Sequence, residues 1–187
     1  ARSTDLIFLE EGRVFIRSIP VAGNMVSQQI SREMDLSFDD AETLKLEKAF
    51  VGLGGAYEAH EDAEADRVSK IVRNVMTKMH AEINRSINFY RGQQGGSKPV
   101  KLLLAGGTSA IRGVDVFFRE KLKIPVESFN PFSSVAVQDS IDAGTVAAYV
   151  NVLGQVVGLG LRRGLSCPLE INLMPATVQA SKELRRR

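Results

Sequence analysis

The chain opens with apolar and polar residues in short strand-like runs and then changes to a helical period. Asp5-Leu6-Ile7-Phe8-Leu9-Glu10 is one run, Glu11-Gly12 a turn, and Arg13-Val14-Phe15-Ile16-Arg17-Ser18-Ile19 a second run. The spacing predicts an antiparallel hairpin. Pro20 ends it, because proline has no N–H to give to a ladder. From Gly23 onward, Val26, Ile30 and Met34 sit four apart, which predicts one face of a helix.

Ser37-Phe38-Asp39-Asp40 has the form of a capping box and predicts a helix through Ala41, Leu44 and Lys45. Gly52, Gly54 and Gly55 interrupt the pattern. Residues 61–90 carry the strongest helical signal, with Val68, Ile71, Val72, Val75, Met79, Ile83, Ile87 and Tyr90 recurring at three and four. Acidic residues crowd its start and basic ones its middle and end, which complements the helix dipole. After a polar loop to Pro99, the nearly continuous apolar run Val100–Ala105 predicts a buried strand. Gly106-Gly107-Thr108 follows directly, with a helix expected from there to Lys121 and a short strand at Pro125–Ser128. The 19 uncharged residues Ala143–Leu161 approach the length of a membrane span, yet they hold four glycines, Asn151 and Gln155. They are read as a helix buried between a sheet and its neighbours.

Composition narrows the class. Of 187 residues, 44% are hydrophobic and 25% charged, which excludes a disordered, collagen-like or heptad-only chain. One cysteine, Cys167, forms no internal disulfide, and with only His60 and His80 it leaves little for a zinc site. Each histidine is read as a surface or loop residue. The net charge of +2 is a property of the tail: Lys182, Arg185, Arg186 and Arg187 against Glu183 leave +3 there, so residues 1–181 carry −1. A nucleic-acid-binding face on the body has no support.

The strand ending in Gly106-Gly107-Thr108 is the sharpest candidate for chemistry. A glycine pair between a buried strand and a helix lets a ligand approach the backbone, beside N–H groups that favour phosphate or sugar oxygens. A tight turn explains such a pair equally well, and the Lys-Ser/Thr ending of a P-loop is absent. Glu42 and Lys45 share a helical face; by spacing alone they form a solvated i,i+3 pair. Glu58, Glu61, Asp62 and Glu64 lack the spacing of a calcium loop and read as a helix start. Pro168–Pro175 alternates apolar and polar residues, as an extended segment lying along an edge or groove does.

Together these pieces resemble the PilM-type actin-like ATPases of type IV pilus assembly and their cell-division relatives of the FtsA kind. Ser3-Thr4-Asp5-Leu6-Ile7 and Pro20-Val21-Ala22-Gly23-Asn24 match the second phosphate segment and its hairpin. Ala41-Glu42-x-Leu44-Lys45 matches the helix that approaches ribose and adenine, and Leu102–Gly107 resembles the adenosine motif, continued by Ile111-Arg112-Gly113 and Ile124-Pro125-Val126. Gly158-Leu159-Gly160-Leu161-Arg162 is similar to the family's closing helix.

The resemblance implies an α/β, actin-like (ribonuclease-H-like) second lobe over residues 1–165, a mixed sheet flanked by helices, with an inserted helical subdomain within about 23–90. It implies that the sheet's first, central strand and the first lobe lie upstream of Ala1 or on another chain. The implied cofactors are ATP and Mg2+. Ser3 and Thr4 would line the phosphates; Gly23, Asn24, Gly106, Gly107 and Thr108 would cradle the nucleotide; Glu42 and Lys45 would meet ribose and base. Ile171-Asn172-Leu173-Met174-Pro175 resembles the short motif with which PilN docks on PilM, and the basic residues after it suit the cytoplasmic flank of a membrane helix. Residues 166–187 are therefore expected to be an extended tail. The implied partners are a PilN-like inner-membrane protein, other pilus platform components and further copies of the chain, at the cytoplasmic face of the bacterial inner membrane. The implied role is a scaffold of the inner-membrane platform of a type IV pilus or type II secretion-like machine that couples ATP state to partner docking, at most a weak ATPase when the first lobe is present. A small-molecule kinase of the same superfamily and an FtsA-like membrane-tethered filament protein are the alternatives.

Overall fold

The computed structural model describes residues 1–52, 61–138, 140–162, 164–165 and 174–184. They fall into two units, Ala1–Gly154 and Gln155–Arg187.

In the first unit, β1 (Thr4–Glu10) and β2 (Arg13–Ile19) pair antiparallel, in register from Thr4 opposite Ile19 to Glu10 opposite Arg13. Gly12 supplies the positive φ of +70° that the tight turn needs. Period-two alternation sorts the side chains. Leu6 and Ile19 turn to the core, Phe8 and Phe15 to a cluster with Phe89 and Tyr90, and Ile7, Leu9, Val14 and Ile16 outward. Helix α1 (Gly23–Met34) buries Val26 and Ile30 completely, as the four-residue spacing requires. Helix α2 (Phe38–Lys48) begins at Ser37, whose Oγ accepts the Asp40 N–H at 3.1 Å.

Helix α3 (Ala63–Gln93) is the backbone of the unit. Its 31 residues span about 46 Å at 1.5 Å per residue. The Asp62 carboxylate caps it by accepting the Glu64 and Ala65 N–H groups. Its stripe of Val68, Ile71, Val72, Val75, Met79 and Ile83 is buried in one core with α1, α2 and the later strands. His80, expected in a loop or on the surface, lies on this helix, partly buried and 2.8 Å from Asn84 Nδ2. Desolvation, with Lys121 nearby, moves its pKa below the usual histidine value.

Strands β3 (Leu102–Leu104) and β4 (Val126–Ser128) pair in parallel, and helix α4 (Val114–Leu122) makes the crossover between them. Sheet pairing of both senses is therefore present, but as two separate pairs rather than one continuous mixed sheet among the described residues. Both pairs reach the same core, through Leu6 and Ile19 from one and Leu102, Leu104 and Val126 from the other.

The helix expected to run unbroken from the glycine pair to Lys121 is interrupted. A 3-10 turn covers Gly107–Ala110, and α4 starts only at Val114. Between them Arg112 bridges to Phe50, its carbonyl accepting the Val51 N–H at 2.8 Å, and Gly113 takes φ +85° against the Val51 carbonyl. The uncharged stretch is likewise two helices, α5 (Ala143–Tyr149) and α6 (Gly154–Leu161), and it is not buried: Tyr149 is 56% exposed and Leu159 65%. The Asn151 carbonyl between them turns away to accept the Gly106 N–H. Among the described residues no single helix is long and apolar enough to cross a membrane.

The second unit contains most of α6 and helix α7 (Ala176–Leu184). Residues 176–184 were expected to be extended. They are helical because Pro175 suits a helix start and Ala, Gln, Lys, Glu and Leu are strong helix formers.

Candidate functional site

Three elements of the first unit converge where the sequence places its candidate residues. The entry to α1 contributes Gly23, the inner face of α2 contributes Glu42 and Lys45, and the turn after β3 contributes Thr108. A Cβ built on Gly23 would stand 2.6 Å from Thr108 Oγ1 and 3.7 Å from Lys45 Nζ. A side chain at position 23 would force the Thr108 hydroxyl to move, although the backbone angles of Gly23 do not themselves call for glycine.

Glu42 and Lys45 are not the solvated pair that their spacing suggests. Lys45 Nζ donates to Glu42 Oε1 at 2.6 Å, and only 11% of the lysine side chain is exposed against 39% of the glutamate's. A third residue, Ser27, joins them from α1. Its Oγ donates to Glu42 Oε2 and accepts from Lys45 Nζ at 3.0 Å. Burial pushes the Glu42 pKa up, but the hydrogen bonds from Lys45 and Ser27 outweigh it and hold the carboxyl below the ordinary glutamate value. The result is a compact charge-paired unit beside Gly23 and Thr108.

Just before Thr108 the chain carries no side chains at Gly106 and Gly107, while the Gly106 N–H is taken by the Asn151 carbonyl. A Cβ built on Gly106 or Gly107 meets nothing within 4 Å. Gly106 stands at φ +92°, which a side chain would strain, whereas Gly107 has no such constraint. The glutamate–lysine unit offers acceptor oxygens and a cation side by side, groups that can pair with hydroxyl donors and with anionic oxygens.

The remaining expected residues are arranged less directly. Thr4 Oγ1 donates to the Val21 carbonyl at 2.7 Å, so it ties the start of β1 to the entry of α1. Ser3 is exposed just before β1. The Asn24 N–H is already bonded to the Ala1 carbonyl at 3.0 Å. Ile171, Asn172 and Leu173 lie outside the described residues, as do His60 and Cys167; Met174 and exposed Pro175 directly precede α7. Among the described residues no group of three His, Cys, Asp or Glu side chains is placed to hold a metal ion.

Ser27 was missed in the sequence. Its signal is a hydroxyl one turn from Gly23, next to the fully buried Val26. That position identifies a buried polar group but not the carboxylate it meets.

Residues 1–164 match the family described as type IV pilus assembly protein PilM. Among solved structures, the chain is similar to one titled PilM-PilN type IV pilus biogenesis complex, at 24% identity and a TM-score of 0.70, over 86% of this chain and 43% of that one. It is also similar to ethanolamine utilization protein EutJ from Carboxydothermus hydrogenoformans, at 19% identity and a TM-score of 0.50, over 68% of this chain and 40% of that one. The chain thus spans less than half the length of either.

Proposed function

The chain belongs to the type IV pilus assembly protein PilM family and has the actin-like fold, and from that premise we propose that it is a nucleotide-binding scaffold whose ATP state governs partner docking in pilus biogenesis. The observation that carries the reading is the convergence of Gly23, Ser27, Glu42, Lys45 and Thr108, with Gly106 and Gly107 directly before Thr108 open on their side-chain side. In this reading Gly106 and Gly107 let the nucleotide lie against the backbone. Glu42 accepts from ribose hydroxyls, Lys45 stands near the base, and Ser3, Thr4 and the Asn24 region line the phosphate side. ATP supplies the phosphates that a closing lobe would sense. Mg2+ would be held chiefly by those phosphates and water, its usual mode in nucleotide sites.

Residues 1–165 then act as the second lobe, with the inserted helical subdomain within about 23–90. A first lobe would close over the nucleotide by a hinge. The segment Ile171–Pro175 serves as a PilN-like docking element for a PilM-type surface at the cytoplasmic face of the inner membrane, where a PilN-like protein is the expected partner, with the basic residues after it near anionic lipid.

The test is a calorimetric titration of Mg-ATP into the full-length protein, beside the Gly107→Val variant. Saturable binding that the substitution abolishes, with thermal stability retained, is the expected result. Equal binding by both proteins, or none by either, would remove the nucleotide from this site.

A further inference from the structure

We infer that Ser27 is a positioning residue of this site, whose buried hydroxyl fixes the Glu42 carboxylate and the Lys45 ammonium as one unit beside Gly23 and Thr108. For the identity of the ligand, this rests on the nucleotide reading above.

Ser27 is fully buried on α1, whereas Glu42 and Lys45 both belong to α2. A hydroxyl has one proton and two lone pairs. The Glu42 carboxylate takes the proton, and Lys45 Nζ donates to the oxygen at 3.0 Å. The Gly23 carbonyl, 3.3 Å away, is the longer alternative acceptor. Ser27 Oγ therefore satisfies both charges at once, from a helix that neither charge belongs to.

An i,i+3 glutamate–lysine pair on a lone helix samples many rotamers, because solvent competes for both ends. Here a third anchor on a separate element removes that freedom. It also assigns the carboxylate oxygens, Oε1 to Lys45 and Oε2 to Ser27. Each oxygen keeps lone-pair capacity on its exposed side, which suits a pair of neighbouring hydroxyl donors such as a vicinal diol. Ser27 touches no ligand in this arrangement. Its effect is preorganisation: the site does not have to order two long side chains when the ligand arrives.

The test combines a structural readout with a binding cycle on the full-length protein. In the first, the Glu42 side-chain carboxyl is followed by carbon NMR against pH in the unaltered protein and in Ser27→Ala. The midpoint should rise toward the ordinary glutamate value in the variant; an unchanged midpoint overturns the inference. In the second, Ser27→Ala should weaken Mg-ATP about tenfold, the effect of one lost hydrogen bond to a charged group, and leave inorganic tripolyphosphate binding unaltered. In a Glu42→Ala background the serine substitution should cost nothing more. Additive losses, or equal losses for ATP and tripolyphosphate, would make Ser27 a purely structural residue. Failure of the unaltered protein to bind Mg-ATP strikes the nucleotide reading alone, and the carboxyl titration still decides Ser27.

Discussion

Tyr90 Oη donates to the Glu10 carboxylate at 2.7 Å, joining the last turn of α3 to the end of β1. The same carboxylate accepts the Ser97 N–H at 3.2 Å and the Ser97 hydroxyl. Arg13, across the hairpin, donates to the Gln94 and Gly95 carbonyls at 3.3 and 3.0 Å. The tip of the hairpin is thus held to the loop after α3, and the Tyr90 ring stacks on Phe8 with centroids 4.8 Å apart.

The clamp makes stability depend on acid. The hydrogen bonds from Ser97 and Tyr90 hold the Glu10 pKa at about 2, below its ordinary 4.5. A folded-state value below the unfolded one means that the contribution is complete above pH 4.5 and is lost as pH falls toward 2. Glu10→Gln should lower the denaturation midpoint at pH 7 and flatten its fall between pH 5 and 2. Parallel curves for the two proteins over that range would contradict this.

Gly96 is required by packing alone. A Cβ there would lie 2.1 Å from the Tyr90 ring, which is 3% exposed and pinned by stacking. Gly96→Ala should cost about 1–3 kcal/mol in chemical denaturation, the range for forced overpacking, and release the Ser97 bonds to Glu10.

Gly113 is required twice over, by φ +85° and by the Val51 carbonyl 2.6 Å from a built Cβ. Gly113→Ala should destabilise by about 2 kcal/mol or more. Amide exchange should also quicken at Val51, whose N–H is bonded to the Arg112 carbonyl.

Gly106 and Gly107 should differ. Gly106→Ala places a side chain at φ +92° and should cost about 1–2 kcal/mol. Gly107→Ala meets open space in an unconstrained conformation and should change stability by less than about 0.5 kcal/mol. Equal thermal shifts for the two variants would refute the distinction.

Ser37→Ala should cost about 1 kcal/mol, because the Asp40 N–H loses its acceptor at the start of α2. Urea denaturation of the two proteins measures it directly.

Where a structure is held by neighbours in sequence, it was legible from the residues. The hairpin came out almost residue for residue, since alternation and Gly12 specify both strands and their turn. The stripe from Val68 to Ile83 and the caps Ser37 and Asp62 likewise carry their own helices. The strand before Gly106-Gly107 was visible for the same reason, as was the family, but the buried strand expected over Val100–Ala105 is only Leu102–Leu104 and is not buried: Leu103 is 49% exposed and Val100, outside the strand, 82%. Contacts between distant segments decided the rest. Val51 meeting Arg112 and Gly113 splits the helix after the glycine pair, and the Asn151 carbonyl turning to Gly106 accompanies the break in the uncharged stretch. Glu42 and Lys45 have the spacing of a surface pair, and only the packing of α1 against α2 sets the Ser27 hydroxyl between them. Periodicity reports which face of an element is apolar. It does not report which polar group on another element will fill the gap, because that depends on how the two faces meet.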